Sequence, residues 1–272
     1  MRALFHFACE GEILAASIDK AEGSTGIICV TGGTQTRFGA HRGNALLAAR
    51  FAAAGYPVMR FDRRGVGDSS GQDPGFADSG ADLAAAIAAF RVRCPSIELL
   101  VGYGLCDGAT TLCLHHAEVG IDALLLTNPW VVEAAANEPP PAAIGKHYRK
   151  QLLSLASWKR LLSGGIDYRK ALRGVFKLVK PQRNADSLAA TIGDALAHSD
   201  APAHLVIAED DATGVGFDHE WRKGAMRSLS GSQRFTRATI ATDAHSFARE
   251  GDFEQLAQTC LEAIARFEAS SA

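Results

Sequence analysis

The chain has 272 residues, 28 Lys and Arg against 30 Asp and Glu, 47% hydrophobic residues and six cysteines. A formal net charge of −2 excludes the strongly basic signature of a general nucleic-acid binder. No apolar run reaches the roughly 20 residues of a spanning helix, so one globular unit, or a domain carrying an insertion, is expected. The start Met1-Arg2-Ala3-Leu4-Phe5-His6 lacks the long apolar core of a secretion signal, which makes the cytoplasm the expected location.

Taken in chain order, strand-like segments fall at Ala3–Cys9, Ile13–Asp19, Gly26–Val30, Val58–Asp62, Ile97–Tyr103, Ala123–Leu126, Leu205–Ala208 and Phe235–Ile240. Several are short, nearly continuous apolar runs, as expected of strands covered on both faces. Helical patterns lie at Ala45–Ala54, Ala81–Val92, Gly108–Glu118 and Phe253–Phe267, the last with Phe253, Leu256, Cys260, Leu261, Ile264 and Phe267 on one face. An initial hairpin followed by strand–helix units predicts an α/β domain with a mostly parallel sheet. A dinucleotide-binding fold is the alternative, but the glycine fingerprint is missing after the first strand, where Glu10-Gly11-Glu12 is only a hairpin turn.

The alternation breaks from Asn128 to about Ser199, which contains helical patterns without a convincing strand. A connection of that length reads as a helical cap, entered through Pro139-Pro140-Pro141. The predicted core is therefore 1–132 and 200–272, and the cap 133–199.

The six cysteines, Cys9, Cys29, Cys94, Cys106, Cys113 and Cys260, include no Cys-x-x-Cys pair, which argues against a zinc site or a disulfide scaffold. No metal and no cofactor is expected. One cysteine stands apart. Gly104-Leu105-Cys106-Asp107-Gly108 sits between a strand and a helix at the spacing of Gly-x-Ser-x-Gly, with Cys in place of Ser. Small flanking residues let the backbone turn sharply there, and the N-terminus of the next helix favours a thiolate and the oxyanion it creates. The plainer reading is a small core residue in a tight turn.

A nucleophile needs a base, and the base an orienting acid. Of nine histidines, His245 is the candidate base, because it lies in a loop between the last strand and the last helix. The preceding strand runs into Glu209-Asp210-Asp211, from which Asp211 is the candidate acid and Asp210 its competitor. The chain order Cys106, Asp211, His245 is nucleophile, acid, base.

With these pieces the sequence resembles an α/β-hydrolase, and more narrowly the exosortase A system-associated hydrolase 1 group. The resemblance rests on Val30-Thr31-Gly32-Gly33-Thr34-Gln35, Arg60-Phe61-Asp62-Arg63-Arg64-Gly65-Val66-Gly67-Asp68-Ser69, the Cys106 turn and the Asp211 and His245 loops. It implies an eight-stranded, mostly parallel sheet flanked by helices, and an oxyanion hole made by the Asp107 N–H and an N–H at Gly33 or Thr34. Thr31-Gly32-Gly33 replaces the common His-Gly form, so the second donor stays open by one residue. The Arg64–Ser69 stretch is read as a structural turn without a catalytic role.

A Cys–His pair can rest as thiolate and imidazolium, and attack would produce a thioester acyl-enzyme. Esters and thioesters suit such a site better than amides. Transfer to an acceptor other than water is one alternative, and a non-catalytic binding protein on the same fold is another. Between Ala142 and Arg183 the chain carries eleven Lys and Arg and one acid, Asp167, so this stretch is +10 and the remainder −12. Solvated basic faces are common. The sharper expectation is that Lys146, Arg149, Lys150 and Trp158 help bind substrate or an acidic partner, such as a carrier protein, a coenzyme A thioester or an anionic membrane surface.

Overall fold

The computed structural model describes residues 2–131 and 187–271. The expected cap, including Pro139 to Pro141, Lys146, Arg149, Lys150 and Trp158, lies outside the described residues apart from its last stretch. Among the described residues eight strands form one sheet: β1 (Arg2–Cys9), β2 (Glu12–Asp19), β3 (Thr25–Val30), β4 (Val58–Phe61), β5 (Leu99–Leu105), β6 (Ala123–Thr127), β7 (Ala203–Ala208) and β8 (Phe235–Ile240). Their order across the sheet is β1-β2-β4-β3-β5-β6-β7-β8. β1 and β2 pair as an antiparallel hairpin and β2 runs antiparallel to β4, whereas all pairs from β4 to β8 are parallel. The hairpin closes through Glu10 and Gly11, both with positive φ (48° and 85°), as a two-residue turn matched to strand twist requires.

Among the described residues six α-helices cover the two faces: α1 (Gly43–Ala53), α2 (Gly80–Arg93), α3 (Asp107–Val119), α4 (Leu188–Ala197), α5 (Ala212–Arg222) and α6 (Asp252–Ser271). Alternate residues of one strand feed different cores. Leu124 and Leu126 of β6 pack with Leu83 and Phe90 of α2 and Leu112 of α3, whereas Ala123 and Leu125 pack with Leu47 and Phe51 of α1 and Ile264 of α6. Two-sided burial is why these strands read as continuous apolar runs.

Two elements differ from the sequence reading. Residues 188–197, placed there in the cap, form α4, which starts at the Ser187 N-cap and buries Ala189, Ile192 and Leu196 in the same core as α3. The segment after β7, read only as an acidic loop, turns into α5, because the Asp211 side chain caps it by accepting from the Gly214 N–H at 3.0 Å. Gly214 and Gly216 hide this helix from propensity, since glycine costs about 1 kcal/mol in a helix interior.

β3, β5, β6, β7 and β8 all point the same way, so the loops after them meet at one edge of the sheet. The first of those loops is held from beneath by buried charge. Asp62 is fully buried, and its carboxylate accepts from both the backbone N–H and the guanidinium of Arg37. Arg37 Nε donates to Ser17 Oγ at 3.1 Å, and fully buried Arg60 donates to the Arg37 carbonyl at 2.9 Å. Removing one partner of such a pair leaves a buried uncompensated charge. Asp62→Ala is therefore expected to lower unfolding free energy by about 3–5 kcal/mol in urea titration. A loss under about 1 kcal/mol, the value of a solvated surface pair, would contradict that account.

Candidate active site

β5 ends at Leu105 and α3 begins at Asp107, leaving Cys106 alone as the turn. Its φ and ψ are 60° and −127°, a strained conformation for a residue with a side chain, and the thiol is half-buried. Three glycines make the turn possible. A methyl at Gly104 would sit 2.6 Å from the Ala109 nitrogen, one at Gly108 would sit 2.5 Å from the Val30 oxygen, and one at Gly32 would overlap the Asp107 carboxylate. The spacing of small residues visible in the sequence is thus the condition for the loop after β3 to lie directly on the turn.

The turn is also tied to β6. The Cys106 N–H donates to the Thr127 carbonyl at 3.0 Å, and Thr127 Oγ1 donates to the Gly104 carbonyl at 2.8 Å. At the start of α3 the Asp107 N–H is one of the orphan donors every helix presents at its N-terminus, pointing out of the helix beside the thiol.

His245 and Asp211 approach from the loops after β8 and β7. His245 Nδ1 lies 3.0 Å from Asp211 Oδ2, and because a carboxylate only accepts, Nδ1 carries the proton. Asp211 is 7% exposed and the His245 side chain 36% exposed. The hydrogen bond with Asp211, followed by interaction with the Cys106 sulfur, raises the His245 pKa to about 10 against the opposing effect of burial. Of the acidic residues after β7, Asp211 is thus the one paired with His245. The neighbouring Asp210 N–H donates to the Thr242 carbonyl at 2.9 Å, which fastens the acid loop to the His245 loop. The latter is anchored by Phe247, 1% exposed, whose positive φ of 53° turns its ring into the core shared by α1 and α6.

The other five cysteines are buried. Burial pushes Cys29 and Cys113 up to about 12, Cys9 up to about 11, and raises Cys94 and Cys260 as well. Thiols held protonated in this way are poor nucleophiles.

Asn128, absent from the sequence reading as a site residue, joins the partner loops. It is fully buried with φ 40°, a conformation asparagine tolerates better than most residues. Its Nδ2 donates to the His245 carbonyl at 3.1 Å, its Oδ1 accepts from the Ala208 N–H at 2.8 Å, and its own N–H donates to the Val206 carbonyl at 3.1 Å. With Thr127 beside it, the end of β6 touches the elbow, the end of β7 that leads into the acid loop, and the histidine loop. The available signal was Asn128-Pro129 after an apolar run, which marks a turn but does not reveal its tertiary partners.

Gly33 and Thr34 lie in the loop after β3. The Gly33 N–H donates to Asp107 Oδ1 at 2.5 Å, so it is already occupied. Among the described residues no group of three His, Cys, Asp or Glu is arranged to hold a metal ion, and no helix is long and apolar enough to cross a membrane.

Solved structures of similar shape cover nearly the whole chain at low identity. The Pyrococcus furiosus esterase Pf2001 superposes with a TM-score of 0.66 at 16% identity, covering 98% of this chain and 91% of that one. XC6422 of Xanthomonas campestris, described as an α/β serine hydrolase without a lid, gives 0.60 at 15% identity, over 98% and 94% of the two chains. The thioesterase domain of the curacin biosynthetic pathway gives 0.58 at 14% identity, over 96% and 99%. No curated protein sequence matches significantly. The profile of the alpha/beta hydrolase family matches residues 27–258, and the chain belongs to that family.

Proposed function

We propose that the protein is a hydrolase that cleaves an ester or thioester through Cys106 as nucleophile, His245 as acid and base, and Asp211 as the group that orients the histidine. The carrying observation is the 3.0 Å His245–Asp211 pair beside a half-buried cysteine held at a strained strand-to-helix turn. Shape similarity to an esterase and a thioesterase domain supports the reaction class.

In the proposed mechanism the resting pair is thiolate and imidazolium. Sγ attacks the acyl carbon, and the oxyanion is met by the Asp107 N–H and an N–H of the loop after β3. Collapse breaks the bond to the leaving group, which takes the imidazolium proton. The acyl group is now a thioester on Cys106, so the sulfur is uncharged. His245 loses that contribution to its raised pKa, keeps the one from Asp211, and is left as neutral imidazole. It takes a proton from water, hydroxide adds to the thioester, and departure of the carboxylic acid restores thiolate and imidazolium.

The basic stretch 142–183 carries the proposal that the leaving group or carrier is acidic, such as a coenzyme A thioester or an acyl carrier protein, with Lys146, Arg149, Lys150 and Trp158 as contacts. Turnover of such substrates should fall as salt rises from 50 to about 300 mM, while a neutral aryl ester is little affected. Equal salt response of both would remove the acidic partner. The exosortase-associated assignment belongs to this same proposal, resting on sequence resemblance.

Intact-mass measurement after brief exposure to an activated ester tests the central reading. One acyl group should appear, map to Cys106, and turn over. His245→Ala should strongly reduce its formation. Acylation spread over several cysteines, or unchanged in His245→Ala, would remove the proposed triad.

A further inference from the structure

The loop after β3 is fixed by two charged side chains that the triad does not use. Two peptide planes meet at Gly33. In the first, the Gly33 N–H donates to Asp107 Oδ1 at 2.5 Å, and on the opposite side the Gly32 carbonyl accepts from the Gln35 N–H at 3.2 Å. In the second, the Gly33 carbonyl accepts from the Arg63 guanidinium. The C=O and N–H of a trans peptide point in opposite directions. Fixing the Gly33 carbonyl toward Arg63 therefore aims the Thr34 N–H away from it.

Both clamps are themselves held. Arg63 is 7% exposed and forks onto the Asp73 carboxylate, Nε to Oδ1 at 2.8 Å and Nη2 to Oδ2 at 3.1 Å. The Asp107 carboxylate stands on the first turn of α3, next to Cys106, and reaches the loop only because Gly32 lacks a side chain. Gly33 has a positive φ of 56°, so its two planes are set by these bonds and not by an ordinary backbone preference. The loop is thus pinned on both sides, with the Gly33 and Gln35 N–H groups spent and the N–H of Thr34, an exposed residue, directed by the clamp between them.

From this arrangement we infer that Asp107 and Arg63 are positioning residues for the oxyanion hole: they hold the Gly33 peptide so that Thr34, and not Gly33, supplies the loop's N–H donor. The inference rests on the acyl-transfer reading above and narrows it. It also gives the Arg60–Ser69 stretch a part in the chemistry through Arg63, although that side chain touches no substrate. Asparagine at position 107 retains an Oδ1 that accepts the same N–H, whereas alanine has none. Lysine at 63 retains the charge but loses the fork onto Asp73.

The test compares two reactions of the same sulfur. Attack on an aryl ester or thioester builds an oxyanion; alkylation by chloroacetamide builds none. Asp107→Ala and Arg63→Ala are expected to lower kcat for acyl transfer about 10- to 100-fold with KM within about twofold, the loss associated with one misplaced oxyanion donor. The limiting alkylation rate of Cys106 at high pH should stay within about twofold of the parent enzyme. Asp107→Asn should recover most of the kcat lost in Asp107→Ala.

Three results would overturn the inference. Acyl transfer unchanged or faster in Asp107→Ala would make the carboxylate irrelevant or an obstruction. Asp107→Asn as slow as Asp107→Ala would mean that charge, not the accepted N–H, matters. A parallel fall of alkylation and acyl transfer in both alanine variants would indicate general damage to the elbow. Failure of the triad reading gives a separate signature, acyl transfer that persists in Cys106→Ala.

Discussion

Cys106→Ala should lose acyl transfer by at least about 10⁴-fold in kcat, leaving only what binding and the oxyanion donors can do for a water molecule. The size follows from position. Cys106 is the sole residue between β5 and α3, and its sulfur is the only one of six that is not buried. A second thiol cannot take over, because the other five are enclosed and their pKa values are raised by burial. Cys106→Ser is the more informative variant. A hydroxyl must give up its proton during attack, so the thiolate–imidazolium pair of the proposed mechanism is not available and general-base assistance has to replace it. About 10²-fold or more in kcat should be lost with good leaving groups, and KM should change little. Single-turnover acylation followed by mass spectrometry separates the two variants: serine still forms an ester intermediate, and alanine forms none. Activity of Cys106→Ala within tenfold of the parent would exclude the cysteine mechanism.

What the sequence made legible divides along physical lines. β5 and β6 are readable because both faces are buried and nearly every residue is apolar, and the elbow because steric demand falls on Gly104 and Gly108 within five residues of each other. Local rules suffice for such features. They fail for α5, where Gly214 and Gly216 oppose a helix that the Asp211 cap and packing of Phe217 and Trp221 stabilise. They fail again for Asn128 and Arg63, whose bonds to His245 and Gly33 span 117 and 30 residues. A buried asparagine and a paired arginine leave no periodic trace. The sequence shows Asp107 only as a backbone donor, because the use of its carboxylate depends on a loop more than seventy residues earlier in the chain.

Asp211→Asn should move the alkaline limb of activity to lower pH and reduce kcat by about 10²- to 10⁴-fold. Asp211 is the largest single cause of the raised His245 pKa, ahead of Cys106. An amide carries no charge to favour imidazolium, so the pKa must fall in the variant. In the parent enzyme the imidazolium persists as pH rises toward about 10, and in the proposed mechanism it is the acid that protonates the leaving group during acylation. Turnover of substrates with poor leaving groups should therefore hold through neutral pH and decline as pH passes through about 10. Activated aryl esters, whose leaving groups need no proton, should decline less. The same shift has a stability consequence of definite sign. A histidine whose folded pKa exceeds its unfolded value of about 6.5 contributes stabilisation that is complete below about 6.5 and is lost as pH rises through the folded value near 10. Melting temperatures should thus fall from pH 7 to pH 10 more steeply in the parent than in Asp211→Asn. Because the His245 side chain is 36% exposed, solvent screening keeps the stability effect modest, and kinetics is the stronger readout. An alkaline limb at the same pH in both proteins would show that Asp211 does not set the charge of the group that transfers the proton.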